Sequence, residues 1–309
     1  MALLTLEDIS QIKSVQVVAK TIVSGFISGL HRSPYLGFSI TFADHRPYEP
    51  GDDLRHLDWK LLARLKKKYT RRFEEETNMR VLIILDSSPS MLYPTGSNMK
   101  FKFSLFGAAA LMYLLKLQRD AFSLHLVSQE IIDKPSIKPV HYRRSMGRLE
   151  KYMDEPPHSE SDILTSLEKA AYFMPKRSLI VLFSDLLDRR LYENEEDEFI
   201  NRFQSVLRFH RSRLNDVLIF HVFDSQTERE LSVSNVSWIR LKDVEIPSLQ
   251  EEVSIREVAG EYARAFDNWQ ETIEETCLQN GADYALVDIR EPFAAILLKF
   301  LVRRAKMMS

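Results

Sequence analysis

The sequence predicts an α/β fold: a doubly wound, mostly parallel sheet flanked by helices, with an N-terminal helix-plus-strand extension. Three observations predict it. The stretch MRVLIILD, residues 79–86, carries an unbroken apolar run from Val81 to Leu85 that stops at Asp86, with Ser88 and Ser90 at alternate positions after it. A strand covered on both faces loses its polar alternation in this way. Similar short runs recur at AFSLHLV (121–127), SLIVLF (178–183) and VLIFHVF (217–223). Longer stretches with helical spacing separate them, and such alternation is the pattern of parallel strands joined by helical crossovers.

From the N-terminus, Leu6, Ile9, Ile12, Val15, Val18, Ile22 and Phe26 fall at helical spacing. They predict an amphipathic helix over residues 5–30, with Thr5 as cap and Gly25 or Gly29 near its end. Residues 31–60 are rich in turn-formers and aromatics; Phe38, Ile40 and Phe42 alternate as in a short strand, and Pro47, Pro50 and Gly51 punctuate the segment beyond them. Tyr69, Arg71 and Phe73 alternate and predict another strand. We place a boundary near Asn78, between an extension (1–78) and a main domain (79–309). In the main domain, helices are expected from about Lys100 to Leu117 and over 143–153, 162–173, 193–212 and 254–279. Tyr284–Val287 is the expected last strand and 291–306 a closing helix.

Composition narrows the function classes. The 309 residues are 45% hydrophobic and 28% charged, ordinary for a globular protein, and the net charge of −2 gives no global attraction to nucleic acid or anionic lipid. The basic run KLLARLKKKYTRR (60–72) is followed at once by the acidic residues 74–76, so a solvated or ion-paired surface is expected there rather than a nucleic-acid site. The lone Cys277 cannot form an internal disulfide or a multi-cysteine zinc site, and a buried core thiol is expected. The N-terminus lacks the basic-then-apolar order of a signal peptide, and no stretch approaches the roughly 20 apolar residues of a membrane helix. A cytoplasmic location without membrane insertion is expected. Zinc-hydrolase His pairs, a G-x-S-x-G elbow, a phosphate-binding P-loop and a dinucleotide fingerprint are all missing from the sequence. Ser88 stands where a phosphoaspartyl phosphatase would need a second carboxylate.

Chemistry concentrates at Asp86, Ser88 and Ser90. Ligand sites of open α/β sheets lie just beyond the carboxyl ends of the strands, where this segment falls. The strand SLIVLF leads to Ser184 and Asp185, so Asp185 is expected to share a crevice with Asp86. The alternative is a turn in which these residues only cap the next helix. The D-x-S-x-S spacing resembles a metal-ion-dependent adhesion site, and with it the von Willebrand factor A domain. That resemblance implies Mg2+, with Mn2+ or Ca2+ as alternatives. It implies Ser88 and Ser90 as direct ligands and Asp86 as an anchor acting through water or a serine. Ser161 takes the place of a family threonine, with Thr165 a weaker candidate, and Asp185 completes the set. Magnesium favours near-octahedral oxygen coordination and retains waters, which suits hydroxyls and water-linked carboxylates.

A second constellation is FADHRPYEPGDDLRHLDWKLLAR, residues 42–64, in which Asp52, Asp53, Arg55, Asp58 and Trp59 suit an ion-paired signature loop. RPYEPGDDLRHLDWKLLAR, the strand end from Asp86 to Met91, GADYALVDIREPFAAILLKFLVRR and GFISGLHRSPYLG together resemble the domain-of-unknown-function family numbered fifty-eight, over nearly the whole chain. The resemblance implies a von Willebrand factor A-like protein that partners a MoxR-type AAA+ ATPase, its client, or both, in protein maturation, cofactor insertion or stress response. The expected function is therefore a non-enzymatic interaction module with a Mg2+-dependent adhesion site. The alternatives are a metal-dependent phosphoester hydrolase using Asp86 and Asp185, and a metal-free scaffold. Oligomeric state is left open.

Overall fold

A computed structural model describes residues 14–30, 45–47, 69–71, 79–94, 99–127, 132–156, 162–188, 196–230, 238–242 and 250–297. The chain divides into two compact units, Met1–Ser33 with Met79–Ser309, and Pro34–Asn78. In the smaller unit, strands β1 (His45–Pro47) and β2 (Tyr69–Arg71) pair antiparallel. The strand expected at 38–42 and the signature residues Asp52, Asp53, Arg55, Asp58 and Trp59 lie outside the described residues, as do residues 5–13 of the expected first helix.

The larger unit is a mixed α/β structure around a five-stranded, all-parallel sheet. Its strands are β3 (Arg80–Leu85), β4 (Ala121–Leu126), β5 (Ser178–Ser184), β6 (Asp216–Phe223) and β9 (Asp283–Asp288), in the order β4-β3-β5-β6-β9. The chain runs from β3 outward to β4, then crosses back to β5 on the other side of β3. That reversal is a topological switch point, and it falls between β3 and β5. Strands β7 (Trp238–Lys242) and β8 (Gln250–Ser254), between β6 and β9, form a separate antiparallel pair that the sequence pattern did not predict.

Among the described residues, seven α-helical segments accompany the sheet: α1 (Val15–Leu30), α2 (Lys100–Gln118), α3 (Pro139–Asp154), α4 (Ile163–Phe173), α5 (Glu196–Ser212), α6 (Ile255–Gln279) and the helical residues 293–297. Helix α3 starts earlier than expected because Pro139 occupies its first turn, where a missing N–H costs nothing. The alternating side chains of the strands feed two cores. Leu82, Ile84, Ile180, Leu182, Val217, Ile219 and Tyr284 pack with Leu164, Leu167, Phe199, Phe203 and Ile273 of α4, α5 and α6. The opposite face carries Phe183 and Phe220, which stack at 4.8 Å between centroids and meet Phe293 at 6.0 and 5.8 Å.

Gly107 of α2 lets that face close: a Cβ there would lie 2.9 Å from Phe293 and 3.0 Å from Phe183. Helix α2 is buried along most of its length, which suits its near-continuous apolar sequence. It packs under α1, whose buried residues Val15, Val18, Ala19, Ile22 and Val23 make one helical stripe. Cys277 is fully buried in the core, and burial pushes its thiol pKa up, so it is an inert packing residue.

Candidate metal centre

The parallel ladder places Asp86 and Asp185 at neighbouring strand ends. The Asp86 N–H donates to the carbonyl of Phe183 at 3.0 Å, which extends the β3–β5 pairing one residue past β3. Asp86 is fully buried and its carboxylate is held at both oxygens: Oδ1 accepts from the Ser88 N–H (2.9 Å) and Oδ2 from the Ser184 hydroxyl (2.6 Å). Ser184 in turn accepts from the Leu186 N–H at 2.8 Å. Leu186 is a buried non-glycine residue at φ 54°, a left-handed conformation that is costly away from glycine. The turn it makes presents Asp185, whose Oδ1 accepts from the Leu187 N–H at 3.2 Å.

The two serines converge. Ser88 Oγ and Ser90 Oγ lie 3.0 Å apart, at the start of the 3-10 turn Pro89–Leu92. Adjacent oxygens around an octahedral Mg2+ with bonds of about 2.1 Å are separated by about 3.0 Å, so one ion would accept both hydroxyls at this spacing. The same distance is also a hydroxyl–hydroxyl hydrogen bond. Ser88 and Ser90 are 2% and 5% exposed, so the coordination position expected for an outside ligand is covered in this conformation.

Lys100, the first residue of α2, completes the centre, and no sequence motif singled it out. Its side chain is fully buried, with Nζ 2.8 Å from Asp185 Oδ2 and a second ion pair to Glu228. Burial would lower the lysine pKa, but Asp185 and Glu228 hold it above its ordinary value. Glu228 sits in the single π-helical turn Ser225–Arg229, and its Oε2 accepts from the Asp224 N–H at 2.9 Å. Burial, and then Asp185, push the Glu228 carboxyl up against the pull of Lys100. Asp224 is neutralised separately by the Arg290 guanidinium at 2.7 and 2.9 Å. A lysine at a helix start opposes the macrodipole, and α2 has no side-chain cap; that was the available sequence signal.

Burial raises the Asp86 carboxyl to about 6, the Asp185 charge adds to the rise, and the hydrogen bonds from Ser184 and Ser88 oppose it. Among the described residues no group of three or more His, Cys, Asp or Glu side chains is placed to hold a metal ion; what a hard cation would meet here is the paired serine hydroxyls at a coordination-edge spacing, beside Asp86 and Asp185. Neighbouring His221 is buried and held neutral, its pKa lowered to about 4 by burial, with Nδ1 2.7 Å from the Tyr284 hydroxyl.

Of the residues expected from sequence, Asp86, Ser88, Ser90 and Asp185 come together, whereas Ser161 lies outside the described residues. Thr165 is engaged in a local cap. Its N–H and hydroxyl both donate to Asp162, the cap of α4 (2.9 and 2.6 Å), and Arg202 donates to its Oγ1 at 2.7 Å.

The family model for the protein of unknown function DUF58 matches residues 44–271, and the chain belongs to that family. Uncharacterized proteins of Mycobacterium tuberculosis and Mycobacterium bovis are 20% identical over 297 residues, covering 96% of this chain and 89% of theirs. Among solved structures, the PilB minor pilin from Streptococcus sanguinis is similar at 12% identity and a TM-score of 0.41. The match covers 78% of this chain and 64% of the pilin's length. No helix among the described residues is long and apolar enough to cross a membrane.

Proposed function

We propose that this protein is a non-enzymatic, von Willebrand factor A-like interaction module whose centre takes Mg2+ and, through it, an acidic side chain of a partner. The reading is carried by one observation: two buried aspartates and a paired-serine turn meet at the switch point of a parallel sheet. Ser88, Ser90 and Asp185 would hold the ion, with Asp86 fixing the serine turn through its backbone. The ion would supply an electrophilic position for a carboxylate, with no bond cleaved. The partner proposed from the sequence resemblance is a MoxR-type AAA+ ATPase or its client. Ser88 and Ser90 are almost fully buried, which weighs against direct capture of an outside carboxylate in this conformation. Calorimetric Mg2+ titration of the wild type and of Ser88→Ala tests the centre, and partner capture in Mg2+ against chelator tests the docking. Equal capture under both conditions would remove the adhesion reading.

A metal-free scaffold is the second reading, and Lys100 favours it. Its ammonium already sits on Asp185, the carboxylate that a divalent ion would need. Heat of Mg2+ binding separates the two: the scaffold reading predicts none.

A further inference from the structure

Helix α3 packs on α2 and buries Tyr142, Ser145, Met146 and Leu149. Its other side is a basic stripe: Val140, Arg143, Arg144, Gly147 and Lys151 recur at helical spacing and are all exposed. From residue 134 to 151 the chain carries Lys134, Lys138, Arg143, Arg144, Arg148 and Lys151 against Glu150, in a protein of net charge −2. Arg148 turns to Asp133 at 3.2 Å, while the other five basic side chains make no ion pair among the described residues. Lys116 of α2, 4.4 Å from the centre of the Tyr142 ring, adds to the same surface, and Asp154 and Glu155 stand at its far end.

The helix by itself does not favour this charge. Lys138 stands at the N-cap without a side-chain hydrogen bond, and no acidic residue lies in the first turn, so these cations oppose the macrodipole. Helix α5 shows the ordinary arrangement, with Glu196, Asp197 and Glu198 in its first turn and His210 and Arg211 in its last. At the same end of α3 two aliphatic side chains protrude, Ile137 at 61% and Val140 at 64% exposed. They are held in place, because Ser136 exchanges backbone hydrogen bonds with Phe122 of β4 at 2.9 and 3.4 Å.

We propose that this face docks on an anionic lipid bilayer, with Ile137 and Val140 reaching below the headgroups and the basic stripe lying among them. Aliphatic side chains set among lysines and arginines are what an interfacial helix presents. The face is open, since a Cβ at Gly147 would meet nothing within 4 Å, and a bilayer asks for no groove. A nucleic acid would engage the arginines but leave both aliphatics idle, and the stripe has no aromatic ring on which a base could stack. The local patch supplies an attraction that the net charge does not, with each basic residue near the surface strengthening partition about fivefold. No metal at the strand ends is involved.

Co-sedimentation of the full-length chain, in chelator, with vesicles of phosphatidylcholine alone or mixed equally with phosphatidylglycerol tests the proposal. Circular dichroism checks each variant's fold. The protein should sediment with the anionic vesicles only, and less as salt rises. Arg143→Gln/Arg144→Gln should weaken partition about 25-fold. Ile137→Ser/Val140→Ser, which leaves the charge unchanged, should weaken it about tenfold. Lys176→Gln/Arg211→Gln removes the same charge from exposed sites after α4 and on α5 and should leave partition unmoved. Failure to bind anionic vesicles, or equal losses in the α3 and control variants, overturns the proposal. Binding to polyglutamate that Arg143→Gln/Arg144→Gln abolishes, with none to vesicles, overturns it in favour of an acidic protein.

Discussion

Lys100 Nζ lies 2.8 Å from Asp185 Oδ2, joining the first turn of α2 to the end of β5 at a point where both side chains are buried. The contact spans 85 residues of sequence and ties one helical layer to the strand end beside the switch point. An ion pair in such a place is weak support for stability against an apolar alternative, but breaking it from one side is expensive.

Removing the lysine should therefore be severe. Lys100→Met leaves Asp185 and Glu228 buried without their counter-ion and should cost about 3–5 kcal/mol. Urea unfolding measures it. Adding Glu228→Gln should recover part of the loss, because one of the two stranded charges is then gone. A loss below about 1 kcal/mol would mean that the pair is hydrated in solution.

Removing Asp86 should act in the opposite direction on the metal-free protein. Burial and Asp185 raise its carboxyl from 3.8 to about 6 in the folded chain. A folded-state value above the unfolded one means that its stability contribution is complete below about pH 4 and is lost as pH rises through about 6. At pH 7 the ionised form is a liability, so Asp86→Asn should raise stability by about 1–3 kcal/mol, less any hydrogen bond lost at Ser184. The same change should abolish stabilisation by Mg2+. Thermal melts with and without Mg2+ check both halves, and an unstable Asp86→Asn protein at pH 7 would contradict the first.

Most of the main sheet was legible because β3 to β6 are covered on both faces, so burial writes itself as apolar runs such as Val81–Leu85. The β7–β8 pair was not, since Trp238–Lys242 alternates polar with apolar residues in a stretch that offers no long run. Asp86, Ser88, Ser90 and Asp185 were legible from strand ends and spacing. Lys100 and Glu228 were not, because the pair forms across 128 residues and neither residue belongs to a local motif. The Thr165 hydroxyl is engaged in a local cap, donating to Asp162 three residues away.

The serine pair makes a cleaner probe of the metal reading than either aspartate. Ser88→Ala or Ser90→Ala removes one hydroxyl and no charge, so the fold should lose no more than about 1 kcal/mol. Mg2+ affinity should fall at least about tenfold, the equivalent of about 1.4 kcal/mol. Calorimetry reads the affinity and urea unfolding reads the fold. Equal Mg2+ affinity in wild type and both alanine variants would assign the serines to the turn alone.

Two buried histidines should set an acid limit. Burial lowers both His210 and His221 to about 4, His210 with Nε2 2.8 Å from the Leu167 carbonyl. Below about pH 6.5 the unfolded chain takes up protons that the folded chain refuses, so stability should fall as pH drops from about 6.5 toward 4. Asp86 acts oppositely over part of this range, so the wild-type curve is a difference of the two effects. His210→Gln, remote from the carboxylates, should flatten the slope without touching Mg2+ binding. An unchanged slope in unfolding free energy between pH 4 and 6.5 would show that His210 protonates in the fold.

The aromatic cluster beneath β5 links packing to the centre. Phe183 immediately precedes Ser184 and Asp185, and it stacks on Phe220 while meeting Phe293. Gly107 gives this cluster room, since a methyl group there would press on Phe293 at 2.9 Å and Phe183 at 3.0 Å. Rings anchored on both sides have little freedom to yield, so Gly107→Ala should cost about 1–3 kcal/mol as overpacking, despite alanine's better helix propensity. Displacement of Phe183 would carry into the Ser184 hydroxyl that holds Asp86 at 2.6 Å, so Mg2+ affinity should drop together with stability. Pairing Gly107→Ala with Phe293→Leu removes the closer contact and should restore part of both. A stabilised Gly107→Ala protein would mean that the rings move aside freely, and the proposed link from this core to the strand end would be lost.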